Sequence, residues 1–481
     1  MGTAFLHRLS IAIHLVITMS GTGSTRHICQ LLELAGLDQF IASSYGAQYD
    51  VCVKMEQAIT KFDHIEKERL SATMPQKEIT VCQDETFHPE TCLVAIEPVS
   101  NFILLEKYAD SRKASEWTKA MEEATRGLPI TVVQSTSDEG KGIVHHVKTD
   151  LGAHHAPDVF HVQHEIVKGT SAVLASKKKK AEKLLEQASK DVQSGIREKE
   201  KYLQAPHGPG RPPQFDKRIE ESLLNQETAR KNLEVAESYQ QQMKEAIQKI
   251  GTVYHPVNLE TGELRQVDAV SESLNDCFKT METVASDAKL LDRSLKKIQK
   301  AKKVIVDMVA TILFYHMSVQ TKVEALCMPL KVEQTIMNTL IPGLYIERVS
   351  RQAKRADDRR RLREKSIEIL KPLHGEDSPF SGLDADEIEM IEKVAEECAN
   401  LFQRSSSCVE GRNGQLSLRH HGLHRISHRK LTALTAVHNY FIKRRDGTTP
   451  AEKFFGVKPK EIFEFLLNNI DLPGRPARGR S

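Results

Sequence analysis

What the chain lacks narrows it first. No G-x-x-x-x-G-K-[ST] string occurs in its 481 residues, which argues against a P-loop ATPase. Its eight cysteines (Cys29, Cys52, Cys82, Cys92, Cys277, Cys327, Cys398, Cys408) are scattered and form no C-x-x-C pair. That pattern argues against a structural zinc site and against a disulfide framework, and it suits a reducing cytosol. Long apolar runs are scarce. Leu9–Met19 is interrupted by His14 and precedes no small-x-small cleavage site, so a secretory signal is not expected. The run 304–317 carries Asp307, is too short to span a bilayer, and reads as a buried helix. The net charge is only +3, yet it conceals basic blocks at Lys177–Lys180 and Arg359–Arg361, so the total decides little about partners. The composition, 40% hydrophobic and 28% charged with a mean hydropathy of −0.41, is that of a soluble protein long enough for two to four domains.

Four zones differ in periodicity. In the first, TRHICQLLELAG (25–36) puts Ile28, Leu31, Leu32 and Ala35 on one helical face, with Ser24 as N-cap and Gly36 as stop. A second amphipathic run, about 47–70, is marked by Val51, Met55, Ile59, Phe62 and Ile65. The pair is compatible with a helix-turn-helix or with an ordinary helical hairpin. The second zone, 78–165, turns β-rich: EITVCQ (78–83), CLVAIEP (92–98) and NFILLEKY (101–108) precede a helix over 111–127. PITVVQ (129–134), a helix over about 140–152 and a last strand in APDVFHVQHE (156–165) follow. This β-β-β-α-β-α-β order predicts an α/β fold, a mixed sheet with helices packed on it. The third zone, about 166–400, is charged and Ala- and Leu-rich, with helical runs at 171–204, 216–250, 267–303 and 320–371. The fourth, 401–481, ends in a basic tail, PGRPARGRS (473–481).

Two acids follow strands in like settings, Asp84 after EITVCQ and Asp138 after PITVVQ. Carboxylates at strand ends converge at one edge of an open sheet, and hard cations such as Mg²⁺ prefer oxygen ligands. A solvated turn acid is the plain alternative for either. Glu410, in SSSCVEGRNGQLSL (405–418), follows an amphipathic run whose Ile388, Ile391, Ala395, Cys398 and Phe402 form one apolar face, and it is a third candidate. Glu85 alternates to the opposite side of the strand from Asp84 and reads as a supporting or structural residue. Six histidines (His145, His146, His154, His155, His161, His164) raise zinc as a competing idea. However, H-V-Q-H-E matches neither H-E-x-x-H nor H-x-x-E-H. Trp117, the only tryptophan, reads as a core anchor.

Three blocks, in order along the chain, resemble the core of bacterial insertion-sequence transposases of the DDE superfamily. They are QDETFHPETCLVAIEPVSNFILLEKY, QSTSDEGKGIVHHVKTDLGAHHAPDVFHVQHE, and SSSCVEGRNGQLSLRHHGLHRISHRKLTALTAVHNYFIKRRDGTTPAEKFFG. The resemblance implies a ribonuclease-H-like core interrupted by a large all-helical insertion and preceded by an N-terminal helical segment. It implies Asp84, Asp138 and Glu410 as the catalytic acids and ligands of Mg²⁺ (or Mn²⁺). Asp158-Val-Phe-His161 is similar to the [C/D]-x-x-H signature of such enzymes, which makes Asp158 and His161 supporting residues.

The organisation implied is 1–75 N-terminal, 76–165 first part of the core, 166–383 insertion, 384–457 last part of the core, and 458–481 helix and tail. The first seventy or so residues are short for a complete end-recognition region. Further implications are metal-dependent cleavage and strand transfer of DNA, element ends and target DNA as partners, a homo-oligomer on DNA, no membrane, and a cytoplasmic, nucleoid-associated location. Arg412, Asn413, Arg425, Lys430, Arg444 and Arg445 are the candidate DNA contacts, with solvated or capping roles as their alternative. Two other readings stay open: a non-enzymatic helical interaction protein, and an inactive remnant that only binds DNA.

Overall fold

The computed structural model describes residues 2–87, 90–206, 208, 210–375, 378–423 and 425–474, so the basic tail from 475 onward lies outside the described residues. The chain divides into two compact units, Met1–Asp158 with Asn400–Ser481, and Val159–Ala399. The expected insertion boundaries, 166 and 383, fall within seven and sixteen residues of this division.

The first unit is α/β. Five strands, β1 (Lys77–Phe87), β2 (Thr91–Glu97), β3 (Phe102–Ala109), β4 (Ile130–Ser137) and β5 (His154–Pro157), form one mixed sheet in the order β3-β2-β1-β4-β5. β2 runs antiparallel to β1 and β3, while β1, β4 and β5 are parallel. Helices cover both faces, so the strands are apolar on both sides. On one face Leu93, Ala95 and Leu105 pack with Trp117, Met121, Ile143 and Val147, from the helices Ala114–Thr125 and Lys141–His145 and the wider turn His146–Asp150. On the other, Val81, Val94, Ile96 and Phe102 pack with helices Tyr45–Ser71, Ser407–Leu423, His428–Tyr440, Pro450–Phe455 and Ile462–Asn469.

Three sequence expectations change. β1 runs on to Phe87 because β2 stays paired with it as far as Thr91, so Asp84 lies inside the strand and not after it. β5 is only four residues, and a helix begins at Val159. Val159, Val162 and Ile166 are buried at helical spacing, a period misread as strand over 158–165. The N-terminal helices Thr25–Leu34 and Tyr45–Ser71 are joined by ten residues (35–44), longer than the tight turn of a helix-turn-helix. Only Ile28 and Leu32 of the first are buried; Val51, Met55, Ile59 and Phe62 tie the second into the core under the sheet.

The second unit is helical. Helices Val159–Gln204 and Phe215–Val253 pack antiparallel, as the pairings Gln163 with Ile247, Lys178 with Glu237 and Lys199 with Asp216 require. The 267–303 run breaks at Lys289, whose φ of 49° ends helix Val267–Asp287, and 320–371 breaks at Cys327 and near 353–355. Gly2–Ser20 and Asp292–Glu324, the second containing the run 304–317, are long and apolar enough to cross a membrane by length and composition alone. Both also serve as core helices. Ile11, Leu15 and Met19 are buried in the first unit's core, and Met308, Ile312, Tyr315 and Val319 are buried in the second unit.

Candidate active site

Register decides where the acids stand. Along β1, pairing with β4 reaches Cys82, opposite Thr136, and pairing with β2 continues through Asp84, opposite Val94. Asp84 therefore lies just where β1 has lost its β4 neighbour. Asp138 follows β4 directly, two residues past Thr136, the last β4 residue paired with β1. Because side chains alternate, Asp84 shares its face with Val94 and with the helix Ser407–Leu423, while Glu85 shares the Trp117 face with Leu93.

Glu410 reaches Asp84 because the segment before its helix is fastened across the strand ends. The carbonyl of Gln403 accepts from Gln134 Nε2 at 3.1 Å and from Thr136 Oγ1 at 3.2 Å. Cys82 Sγ lies 3.6 Å from the Ser405 carbonyl. Ser406 is bonded through both its N–H and its hydroxyl to Asp158, the buried acid after β5. The carbonyl of Ser406 accepts from Val409 and Glu410, so it starts the helix with Asp158 anchored at its positive end. Cys82 and Cys408, each two residues from a candidate acid, share a thiol hydrogen bond. That bond and burial push the Cys82 thiol up.

The outcome is a carboxylate pair. An oxygen of Asp84 and an oxygen of Glu410 lie within 4.8 Å of each other, both groups half-buried. Asn413, one helical step beyond Glu410, donates from Nδ2 to Asp84 Oδ2 at 2.9 Å. Asp138 does not join the pair. Its Oδ1 accepts from the Gly140 N–H at 2.9 Å, folding the acid back over its own loop. Glu85 accepts from Trp117 Nε1 at 3.1 Å and lies 3.5 Å from Arg112; burial raises its pKa, opposed by the Trp117 hydrogen bond. His161 sits in the first turn of helix Val159–Gln204, three residues past Asp158.

The donor set suits a hard cation. Oxygens of an octahedral Mg²⁺ shell, with bonds near 2.1 Å, stand roughly 3–4 Å apart, the scale of the Asp84–Glu410 separation. His155 is 2.9 Å from Ser137 Oγ, and His146 is 2.9 Å from Thr118 Oγ1, its pKa lowered by burial to about 4.

The candidate DNA contacts separate. Arg412 is corrected: its guanidinium is buried and bidentate on Glu106 at 2.7 and 2.6 Å, which leaves no face for phosphate. Arg444 donates to the carbonyls of Val99 and Ser100 and clamps the β2–β3 turn. Arg425 is exposed and pairs with Glu90 at 2.6 Å. Lys430 is half-buried and its pKa is lowered by desolvation, whereas Arg445 is exposed. Asn413 faces Asp84.

Sequence reasoning missed Ser406, Gln403 and Glu106. A serine run before an amphipathic stretch was the available N-cap signal for Ser406. Nothing local marked the other two.

A family model described as a family of unknown function (DUF6399) matches residues 336–481. No curated protein matches the chain.

Proposed function

We propose that the chain is a DNA transposase of the DDE class, built on a ribonuclease-H-like core into which the helical unit is inserted. The observation that carries this reading is the convergence of Asp84 from the central strand and Glu410 from a helix far along the chain. The sheet order, with β2 alone antiparallel to the other four strands, supports the same core. So does the position of Asp138 directly after β4, the parallel neighbour of β1.

In this reading Asp84, Asp138 and Glu410 hold Mg²⁺, or Mn²⁺, and face the scissile phosphate of an element end. Bound cations supply an activated water or 3′-hydroxyl and neutralise charge on the phosphate. Asn413 fixes the rotamer of Asp84. Asp158 holds the start of the Glu410 helix, and Asp138 gives up its Gly140 hydrogen bond to turn toward the pair. Glu85 supports the site from the Trp117 face. Arg425, Lys430 and Arg445 are proposed to meet the DNA backbone. A homo-oligomer assembled on element and target DNA in the cytoplasm completes the proposal.

The test is divalent-metal-dependent nicking and strand transfer on duplexes carrying the terminal sequences that flank this reading frame. Wild type is expected to cut with Mg²⁺ and to stop with chelator. Asp84→Asn, Asp138→Asn and Glu410→Gln should each lose at least ~100-fold in rate while keeping their fold. Equal activity in all four proteins would sink the assignment.

A further inference from the structure

The helical unit contains a charged cleft of its own. Helices Ile341–Gln352 and Ala356–Leu370 pack against each other across a three-residue connection. Their packing is rigid: Ser366 Oγ donates to the Gly343 carbonyl at 2.9 Å, and a Cβ at Gly343 would meet Leu370 at 2.5 Å. Beside this contact lies a cavity of about 650 Å³ whose wall includes Arg351, Arg359, Arg360 and Arg363. Residues 351–365 hold eight basic and three acidic side chains, a net of +5 in a chain whose total is +3. Positive charge is thus concentrated here and slightly negative elsewhere.

The guanidinium groups are exchangeable. Arg351 pairs with Glu347 at 2.5 Å while 72% exposed, and Arg360 stands 3.5 Å from Asp357 while 73% exposed. Such exposed pairs contribute little, so an arriving anion displaces them readily. Arg359 donates one nitrogen to the carbonyls of Ala353 and Lys354, each at 3.0 Å, and keeps its other donors. Arg363 has no hydrogen-bond or ion-pair partner among the described residues. Arg359 and Arg363 are four residues apart on one helix, a step of roughly 6 Å along the axis. With Arg351 on the facing helix they form a spaced set of forked donors, suited to repeated phosphates more than to one enclosed anion.

We propose that this arginine-lined cleft binds the sugar-phosphate backbone of duplex DNA. The choice of DNA among polyanions rests on the transposase reading; the cleft and its charge do not. Binding here is independent of sequence and steep in salt.

The experiment measures anisotropy of a labelled random-sequence DNA duplex with the full chain between 50 and 200 mM salt. It compares wild type with the combined Arg351→Gln, Arg360→Gln, Arg363→Gln variant. The expected result is a slope of log affinity on log salt that is shallower by about 2–3, roughly 0.9 per lost contact, with affinity at low salt down at least ~tenfold. If the combined variant does not fold, Arg363→Glu decides, since that side chain has no internal bond to lose. A wild-type slope in the folded variant overturns the proposal. Tighter, equally arginine-dependent binding of double-stranded RNA of the same length overturns the identity of the ligand. A wild type that never cuts DNA but shows the arginine-dependent slope would sink the transposase reading and keep the cleft. A cutting enzyme whose slope ignores these arginines would do the reverse.

Discussion

Asp158 Oδ2 accepts twice from Ser406, from its backbone N–H at 2.8 Å and from its hydroxyl, joining residues 248 positions apart. Through that pair the end of β5 sets the first turn of the helix that carries Glu410. An acid of the central strand and a helix-borne acid thereby become neighbours.

Asp158→Ala leaves a buried amide unpaired and removes an anion from a helix N-terminus. The expected cost is about 1–3 kcal/mol, read from the denaturant midpoint. Amide hydrogen exchange at Val409 and Glu410 should quicken more than exchange in β1. Uniform acceleration across both would show that the bond does not position this helix.

Asn413→Ala releases one oxygen of Asp84 from its donor. Titration calorimetry with Mn²⁺ should then report affinity weakened roughly 10–100-fold, the usual effect of losing a hydrogen bond to a ligand. The melting temperature should hardly move. Unchanged Mn²⁺ binding would mean that Asp84 is not a ligand or that Asn413 does not orient it.

Arg412 and Glu106 form a buried bidentate pair, to which Thr435 adds a 2.6 Å hydrogen bond. Arg412→Met alone should cost about 3–5 kcal/mol because it strands a buried carboxylate. Glu106→Gln should cost a similar amount, and the double variant much less than their sum. DNA affinity of the folded fraction should stay at the wild-type level. A fall in affinity without a fall in stability would return Arg412 to the DNA interface.

Burial lowers the pKa of His146 and of His438 to about 4, against 6.5 when exposed. The unfolded chain therefore binds more protons than the native one between those values. Stability is full above about pH 6.5 and is lost as pH falls toward 4. His438 Nε2 is 2.9 Å from the Asn101 carbonyl, so His438→Gln keeps a donor there and removes one titrating group. Urea midpoints measured from pH 7 to 4.5 should fall less steeply in that variant. Parallel curves would place the acid sensitivity elsewhere.

Much of the local structure could be read along the chain. Ser24 and Gly36 bracket a helix, with Gly36 at φ 65° as a left-handed stop needs. The alternation at Asp84 and Glu85 separates one acid for each face of the sheet. Trp117 is wholly buried. Where the reading failed, two periods competed over a short apolar run, as in 156–165, or a partner strand extended an element, as β2 does for β1.

The sequence by itself determined most of the strands and helices, which of their faces are apolar, and that Asp84 and Asp138 lie close to the ends of apolar strand runs. Those properties follow from periodicity and capping, which act over a few residues. Only the tertiary structure decided that Asp84 meets Glu410 and Asn413, that Asp138 turns to Gly140, and that Arg412 is consumed by Glu106. The partners across the core lie some 300 residues apart, and the Asp138 rotamer depends on its own turn. No local pattern encodes either: the first is fixed by how whole layers pack, the second by which hydrogen bonds remain once they have packed.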